Sequence, residues 1–473
     1  MIHLLLLLFI SIQAIGTTYS IADYMDFLES KQPFLNQQKA IIGASISQYN
    51  QVNALTDWTM THSLYSNHVT PYQTSSFSPS KINTLGANFN FNRSFLETGG
   101  TLSFSINHSK LMQDSIVYNG ITFGEPLFFE NDISLSYTQP LLYGYGGSAL
   151  NIGRIQASSN AQITTIDAIE QYETFLLSEL TSYIDWFLQY ELTELSYARL
   201  QLARESLNQT KQRVQVNLAE QIDLLRSEDA VQRAHQQWLT QKAILKSFQF
   251  KLASRTDDPS ILSKVPSYDL YETVSIKKPE YVVVDQLRIP QIAHLAKRPI
   301  ESQLELSKTK RYGELNLIST YSFIGGDTTF SDSMAYTANN SSVYLNYSRA
   351  LGDTQTIESI KYNEKSLEQI NYRYDQINQD LQAEIRSLYV LIEEYIMILD
   401  VNLNQIITAQ KKADAEANRY KQGRSSTDLV IQAQDSVLNA KLNYAHSSAQ
   451  YHKYVLTYQA LIDELLSQYS ITL

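Results

Sequence analysis

The stretch Arg419–Lys441, RYKQGRSSTDLVIQAQDSVLNAK, lies between two segments with a helical pattern. Only one glycine and a Ser-Ser-Thr cluster separate these segments. Gly423 can take the positive φ that ends a helix, and Ser425 with Asp428 resembles a capping box that starts the next one. The stretch therefore predicts a long helix that reverses its direction within about three residues, as at the tip of a helical hairpin.

The helical segments of this chain are unusually long. Their apolar residues recur at steps of three and four, which is typical of coiled-coil-like packing. One stripe consists of Leu381, Ile385, Leu388, Ile392, Tyr395, Leu399, Leu403 and Ile406, and an earlier one of Leu177, Leu180, Ile184, Leu188, Leu192, Leu195 and Leu202. Because no Gly or Pro occurs from Thr356 to Lys421, the later helix is predicted to be a rod roughly 100 Å long.

Other segments alternate between apolar and polar residues, as strands with one apolar face do. The alternating segments are Ala87–Phe91, Leu102–Ile106, Ile133–Tyr137, Leu315–Phe323 and Val343–Tyr347. Between Asp57 and Leu102 there is more strand-like and loop sequence than one hairpin requires. We therefore expect an enlarged loop or an accessory hairpin in that region.

The order of strands, long helix, tight turn and returning helix occurs twice. LSYTQPLL at Leu135 is repeated as LNYSRAL at Leu345, and RVQVN at Arg213 as RYKQG at Arg419, with offsets of 210 and 206 residues. This self-similarity predicts two structural repeats. The predicted divisions are a first repeat at 17–253 (an N-terminal helix, strands at 54–139, a helical hairpin at 150–253 with its tip near 217), a proline-rich segment of short helices and loops at 254–312, and a second repeat at 313–473 (strands at 313–348, a hairpin at 355–467 with its tip near 423).

The first residues, MIHLLLLLFISIQAIG, resemble an export signal. We expect cleavage after residue 16, or as late as residue 20; a buried N-terminal helix is the alternative. The chain has no cysteine, which excludes disulfides and thiolate metal sites, and its net charge of −11 argues against a nucleic-acid partner. The histidines lack the spacing of zinc ligands.

An exported chain with alternating strands and no apolar helix suggests an outer-membrane β-barrel. The chain has only four to six predicted strands, which is too few, since a barrel made by one chain needs about eight or more. An open sheet cannot lie in lipid, because its edge N–H and C=O groups would have no partners. We therefore expect the barrel to close between chains, with three copies of four strands giving about twelve.

Across nearly the whole mature chain the sequence resembles the TolC-like outer-membrane efflux protein family (outer membrane factors). The segments that carry the resemblance are SLSYTQPLLYGYGG, RVQVNLAEQIDLLRSEDAVQRA and RYKQGRSSTDLVIQAQDSVLNAKLNY. The resemblance implies a mainly α fold with a β-barrel portion: a homotrimer whose twelve-stranded barrel lies in the lipid of the outer membrane of a Gram-negative bacterium. An α-helical coiled-coil barrel would extend from it into the periplasm.

The same resemblance implies a passive export duct rather than an enzyme, without catalytic residues, cofactor or metal. Its partners would be a periplasmic adaptor (membrane fusion) protein and an inner-membrane pump, in a tripartite efflux pump or a type I secretion system. A coiled-coil structural or surface protein of the cell envelope without transport activity is the alternative. A porin made by one chain is disfavoured because more than half of the mature chain is predicted to be helical.

The hairpin tips, at Asn217 and Gly423, are where such a duct would narrow. The resemblance implies polar links between neighbouring hairpins there, and we assign them, as a hypothesis, to Asp223, Tyr420 and Arg424. Asp428, Gln432 and Asp435 share one helix face by their spacing, so three copies could form an acidic or polar ring. The alternative for both sets is an ordinary solvated surface.

GYGGSAL, at Gly144–Leu150, matches the glycine spacing of a dinucleotide-binding loop. That loop would follow a continuous apolar parallel strand in a βαβ unit of about thirty residues. Here the strand alternates and the helix runs on for about sixty residues. We therefore interpret the glycines as a transition from strand to helix.

Overall fold

The computed structural model of the chain describes residues 18–72, 78–118, 120–124 and 126–469. The predicted export signal at 1–16 lies outside these residues. Contacts divide the described chain into two compact units. A helical unit contains residues 18–41, 166–290 and 376–469, and a sheet-containing unit contains residues 42–165 and 291–375, with the gaps given above.

The described residues begin with a short strand and two helices, and then alternate between strands and long helices. The strands are β1 (Thr18–Ser20), β2 (Thr59–Val69), β3 (Ile82–Ser94), β4 (Thr101–Gln113), β5 (Ile116–Tyr118), β6 (Ile121–Phe123), β7 (Leu127–Pro140), β8 (Val265–Ser267), β9 (Glu314–Asp327) and β10 (Ala338–Ser348). The helices are α1 (Ile21–Lys31), α2 (Pro33–Asn53), α3 (Ser148–Gln215), α4 (Gln221–Thr256), α5 (Arg288–Lys310), α6 (Phe330–Ser333), α7 (Thr354–Lys421), α8 (Thr427–Leu461) and α9 (Leu465–Gln468). In the described part of the chain, no helix combines the length and the apolar character needed to cross a membrane.

The main sheet has six strands among the residues that the structure describes, in the order β10-β9-β7-β4-β3-β2. Every neighbouring pair in it is antiparallel. The sheet thus exceeds the four strands per chain from which we expected a twelve-stranded barrel, and it lies at the upper limit of the four to six strands predicted. The region Asp57–Leu102, where we expected an enlarged loop or an accessory hairpin, forms the full-length hairpin β2–β3, paired over eleven residues from Thr59 to Val69.

Aromatic and leucine side chains form the core of the helical unit. Trp186, Tyr183 and Leu180 on α3 are fully buried and pack with Tyr24 and Leu28 of α1. A second cluster joins Leu381, Ile385, Ile392 and Leu399 of α7 to Tyr451, Val455 and Tyr458 of α8. Much of both predicted apolar stripes is therefore buried.

The predicted apolar stripe on α3 does not match the buried face of the helix at the C-terminal end of the stripe. Leu202 is 47% exposed in the single chain, whereas Leu200 and Ala203 are buried. A straight helix has 3.6 residues per turn, so a stripe that steps by 3.5 residues drifts around its surface.

The proline-rich segment is more helical than its composition suggests. α5 is continuous over 23 residues and contains Pro299 in its interior. The prediction that prolines break this segment into short helices is wrong for α5. Pro290 lies in the first turn, where a helix needs no N–H donor. Leu304 and Leu306 are buried further along, so packing offsets the hydrogen bond lost at Pro299.

The transition from β7 to α3 depends on three glycines in GYGGSAL. Gly144, Gly146 and Gly147 all have positive φ, between 61° and 84°. A Cβ added at Gly147 would lie 1.6 Å from the carbonyl oxygen of Leu96, whereas one at Gly146 would meet nothing within 4 Å. The loop therefore requires glycine at position 147 for close backbone packing as well as for conformation.

Substituting these two glycines separates the two requirements. Gly146→Ala should destabilise the fold by about 1–2 kcal/mol, the cost of an L-residue in the left-handed region. Gly147→Ala carries the same cost together with the clash with Leu96, so its thermal unfolding midpoint should be clearly lower than that of Gly146→Ala. The midpoints are measured by circular dichroism of the purified protein. Equal midpoints for the two variants would show that Leu96 moves away without cost.

Candidate functional site

The two helix tips have the same backbone geometry. Asn217 and Gly423 both have positive φ, 58° and 72°. In the first tip the N–H of Leu218 donates to the carbonyl of Arg213, and in the second the N–H of Arg424 donates to that of Arg419, both at 2.8 Å. This bond across six residues is typical of a helix that ends with a left-handed residue. Asparagine tolerates this conformation, so the first tip does not need glycine.

The returning helices begin with different caps. Asp223 accepts a hydrogen bond from the N–H of Glu220 at 3.2 Å and completes a capping box at the start of α4. At α8 the cap is Ser426, which accepts from the N–H of Leu429. The predicted cap by Ser425 is wrong, because its hydroxyl donates instead to Glu416 at 2.6 Å.

Tyr420 lies in a buried cluster that joins the four helices of the two hairpins, α3, α4, α7 and α8. Its hydroxyl lies 3.2 Å from Thr210 on α3 and accepts a hydrogen bond of 3.2 Å from Thr427 on α8. Ser227 on α4 donates to Thr210 at 3.1 Å. We call Tyr420, Thr210, Ser227 and Thr427 the hydroxyl cluster. Since each helix contributes one member, the cluster fixes both hairpins to each other near their tips.

The cation at Tyr420 in the single chain is Arg213. Its guanidinium lies 4.2 Å from the centre of the Tyr420 ring and donates to the Tyr420 carbonyl. Arg424, the cation in our hypothesis, is exposed. Within the chain, Asp223 contacts Glu220 of its own capping box and Arg226, at 3.6 Å. A link that joins Asp223, Tyr420 and Arg424 between hairpins of neighbouring chains stays a prediction.

The three residues of the predicted ring have different hydrogen-bond and ion-pair partners in the structure. Gln432 donates to Asp428 at 2.8 Å, and both are exposed on the same face of α8. Asp435 forms an ion pair of 2.6 Å with Arg199, whose side chain is only 5% exposed. The charge of Asp435, whose side chain is 51% exposed, is thus compensated within the chain, whereas Asp428 contacts the neutral Gln432.

Sequence reasoning missed Arg213, Arg199 and the three other members of the hydroxyl cluster. A signal for Arg213 was present, because it aligns with Arg419 when RVQVN is placed on RYKQG. Ser227 and Thr427 follow the two tips in the repeated segments, but small polar residues near a turn are common. Only the packing of α3 against α7 and α8 reveals that Thr210 and Arg199 take part.

A second polar cluster lies away from the tips, around Arg288. Its guanidinium contacts Glu170 at 2.6 Å and Asp463 at 3.0 Å and pairs with the buried Glu173. The three carboxylates lie within 4.8 Å of one another, the spacing of a cation site. Arg288 supplies the positive charge there, so the arrangement is an ion-pair network.

Burial sets the protonation of this network. It raises the pKa of Glu173 to about 7, against the opposing effect of Arg288. Burial also raises the pKa of Glu170 and of Asp463. One guanidinium does not fully compensate three nearby carboxylates, so the folded state favours a proton on the most buried of them.

Comparison with solved structures places the fold. The chain matches the outer membrane protein VceC of Vibrio cholerae with a TM-score of 0.64 at 11% identity, over 93% of this chain and 94% of that one. It matches the Campylobacter jejuni CmeC outer membrane channel with a TM-score of 0.62 at 12% identity, over 93% and 84% of the two chains. For the open state of the Neisseria gonorrhoeae MtrE outer membrane channel the TM-score is 0.62 at 11% identity, over 94% and 89%.

The chain has the TolC-like fold of outer-membrane channels. No protein-family model and no curated protein matches the sequence. The TolC-like fold predicted from the repeated segments is confirmed by structures that share only about one residue in nine with this chain. Shared fold at this level of identity leaves function to be argued from the chain itself.

The hydroxyl cluster of this TolC-like chain can be tested by removing one oxygen. Tyr420→Phe leaves the hydroxyl of Thr427, which is 2% exposed, without its partner, whereas Thr210 keeps its hydrogen bonds with Ser206 and Ser227. An unpaired buried hydroxyl costs about 1–3 kcal/mol, so the thermal midpoint should fall by several degrees. Tyr362→Phe, at a side chain that is 72% exposed, is the matched control and should leave the midpoint unchanged.

The network around Arg288 predicts a pH-dependent stability. Because the pKa of Glu173 is raised from its ordinary 4.5 to about 7, the folded state binds the proton more tightly than the unfolded state. Stability should therefore fall as pH rises through the window between these values. Glu173→Gln should reduce this dependence, with Glu170 and Asp463 retaining part of it, whereas Glu301→Gln at an exposed position should not. Unfolding midpoints across this range that are flat in the unmodified chain would contradict the assignment.

Proposed function

We propose that this chain is the subunit of a homotrimeric channel in the outer membrane of a Gram-negative bacterium, through which substances leave the periplasm passively. The observation that carries the proposal is an open antiparallel sheet with two exposed edge strands, β2 and β10. Such a sheet must complete its hydrogen bonds with other chains if it is to lie in lipid. The TolC-like fold supports the same reading.

In this proposal the sheet crosses the outer membrane and the helical hairpins lie in the periplasm. The hairpin tips would then meet a periplasmic adaptor protein and an inner-membrane pump, as part of a tripartite efflux pump or a type I secretion system. The pump would supply the energy, so the channel itself needs no enzymatic activity. Structural neighbours that are outer-membrane channels support this role.

The gate of the channel would lie at the tips. Asp223, Tyr420 and Arg424 are the proposed links between neighbouring hairpins, and Asp428 with Gln432 would line the opening. Because single polar links contribute about 1 kcal/mol or less, an adaptor could open them. Tyr420 has a second role in the hydroxyl cluster, so its hydroxyl also supports the packing of its own chain.

Conductance in planar bilayers tests the channel and the gate together. The purified protein should migrate as a trimer and give discrete conductance steps. The double variant Asp223→Ala with Tyr420→Phe should raise the mean single-channel conductance severalfold, because the links that narrow the tip are lost.

The matched control is Asp229→Ala, which removes an exposed carboxylate from the same helix. Within the described part of the chain, Asp229 forms an ion pair with Arg233, one turn away on the same helix, at 3.1 Å. Conductance should not change in this variant. A water-soluble species without conductance would instead support a coiled-coil structural protein of the envelope. Conducting trimers that do not respond to the double variant would leave the channel in place and contradict the gate residues.

A further inference from the structure

The sheet of this chain has a continuous polar face that includes both strands of the accessory hairpin. One row of paired residues crosses all the strands of the main sheet that the structure describes: Thr61, Asn90, Ser105, Ser134, Ser322 and Asn340. Hydrogen bonds join neighbours on this face, such as Ser105 to Ser134 at 2.6 Å and Ser103 to Asn92 at 2.6 Å. β2 and β3 therefore continue the same surface as the other strands.

The opposite face is apolar over most of the same width. The row adjacent to the polar one consists of Met60, Phe91, Phe104, Leu135, Tyr321 and Ser341. His62 of β2 stacks on Phe89 of β3 with ring centres 4.2 Å apart. An apolar outer face and a polar inner face are what the wall of an outer-membrane barrel needs. β3 meets that requirement with Phe89 and Phe91, and β2 contributes Met60 and Leu64 to the outer face beside His62, Ser66 and His68.

The lengths of β2 and β3 also favour a position in the barrel wall. β2 and β10 each have eleven residues, and β3 and β4 have thirteen. A strand tilted in an outer membrane needs about 9–11 residues to cross it. A hairpin that lay outside the barrel wall, at one end of the sheet, would not need full-length strands with an unbroken register.

The two edge strands of the sheet, β2 and β10, are free of residues that would hinder pairing with another strand. Every residue of β2 and of β10 is exposed in the single chain. Neither strand contains Pro, Lys, Arg, Asp or Glu, the residues that usually prevent edges from pairing. Because all the pairs within the sheet are antiparallel and its described strands are six, β2 and β10 run in opposite directions. β2 of one copy can therefore pair with β10 of the next without changing the pattern.

Strand direction also limits the alternatives. If β2 alone left the wall, β3 would have to pair with β10 of the next copy, and these two strands run in the same direction. A barrel of this type is antiparallel throughout. The hairpin must therefore stay in the wall or leave it as a whole, exposing β4. The polar row and the strand lengths favour the first arrangement.

We propose that the accessory hairpin is part of the barrel wall, that β2 pairs with β10 of a second copy, and that the trimer encloses eighteen strands rather than twelve. The inference rests on the proposed trimeric channel. With strands about 4.8 Å apart and tilted by about 40°, eighteen strands form a backbone cylinder about 36 Å across, against about 24 Å for twelve. The outer-membrane part of the channel is thus half again as wide as the resemblance implied.

Cysteine crosslinking tests the neighbours directly, since the chain has no cysteine of its own. Cysteines at Thr61, Ser63 or Asn67 of β2 are combined with cysteines at Asn340, Ser342 or Asn346 of β10, all on the polar face. A disulfide forms only where the Cα atoms are within about 7 Å. We expect at least one combination to convert monomers into covalent dimers and trimers on denaturing gels, and single variants to give no trimers.

The matched control places a cysteine at Ser105 of β4 together with each β10 cysteine. In the eighteen-stranded wall β4 is inside the sheet of its own chain and gives no links between chains. Links through Ser105, or no links between chains in a protein that migrates as a trimer, would overturn the eighteen-stranded wall and leave the channel proposal standing. A protein that migrates as a monomer would overturn both.

Discussion

Main-chain hydrogen bonds that a single chain cannot complete are the constraint on which the proposed channel depends. The outer sides of β2 and β10 present N–H and C=O groups that water can satisfy and hydrocarbon cannot. The side chains of these edge strands also leave them open to pairing, because the edges lack the charged residues and prolines that block it. A sheet of this kind is stable in lipid only when other copies cover its edges, so assembly and membrane insertion are linked.

The helical part of the molecule addresses a different problem. Two helices of 68 residues each have to reverse at a defined place, and the proposed gate requires tips that do not fray. The left-handed residues Asn217 and Gly423 end the helices, and the hydroxyl cluster around Tyr420 ties the hairpins together just behind the tips. Arg213 covers the Tyr420 ring and binds its carbonyl, so one aromatic residue links the packing to the turn.

The residues near the tips therefore divide into those committed to their own chain and those available to a neighbour. Thr210, Arg213, Ser227 and Thr427 belong to the first group, and Asp435 joins them through Arg199. Arg424, Asp428 and Gln432 remain on the surface. In the proposed channel this division would suit a gate, because surface links could break on binding of an adaptor while the hairpin stays intact. Tyr420, which is only 6% exposed in the single chain, belongs to the first group by its contacts, and its link to a neighbouring hairpin stays a proposal.

Local pattern in the sequence determined the kinds of elements and the positions of both tips, because helix periodicity, strand alternation and a residue that tolerates positive φ act over a few residues. It also revealed the TolC-like fold, through segments such as RYKQGRSS and SLSYTQPLL. Tertiary structure decided what depends on distant partners: the pairing of β2 with β3, the helix that continues through Pro299, Ser426 as the cap, and Arg213 beside Tyr420. Propensity could not foresee these, since packing and hydrogen bonds between residues far apart in the chain outweigh local preference there.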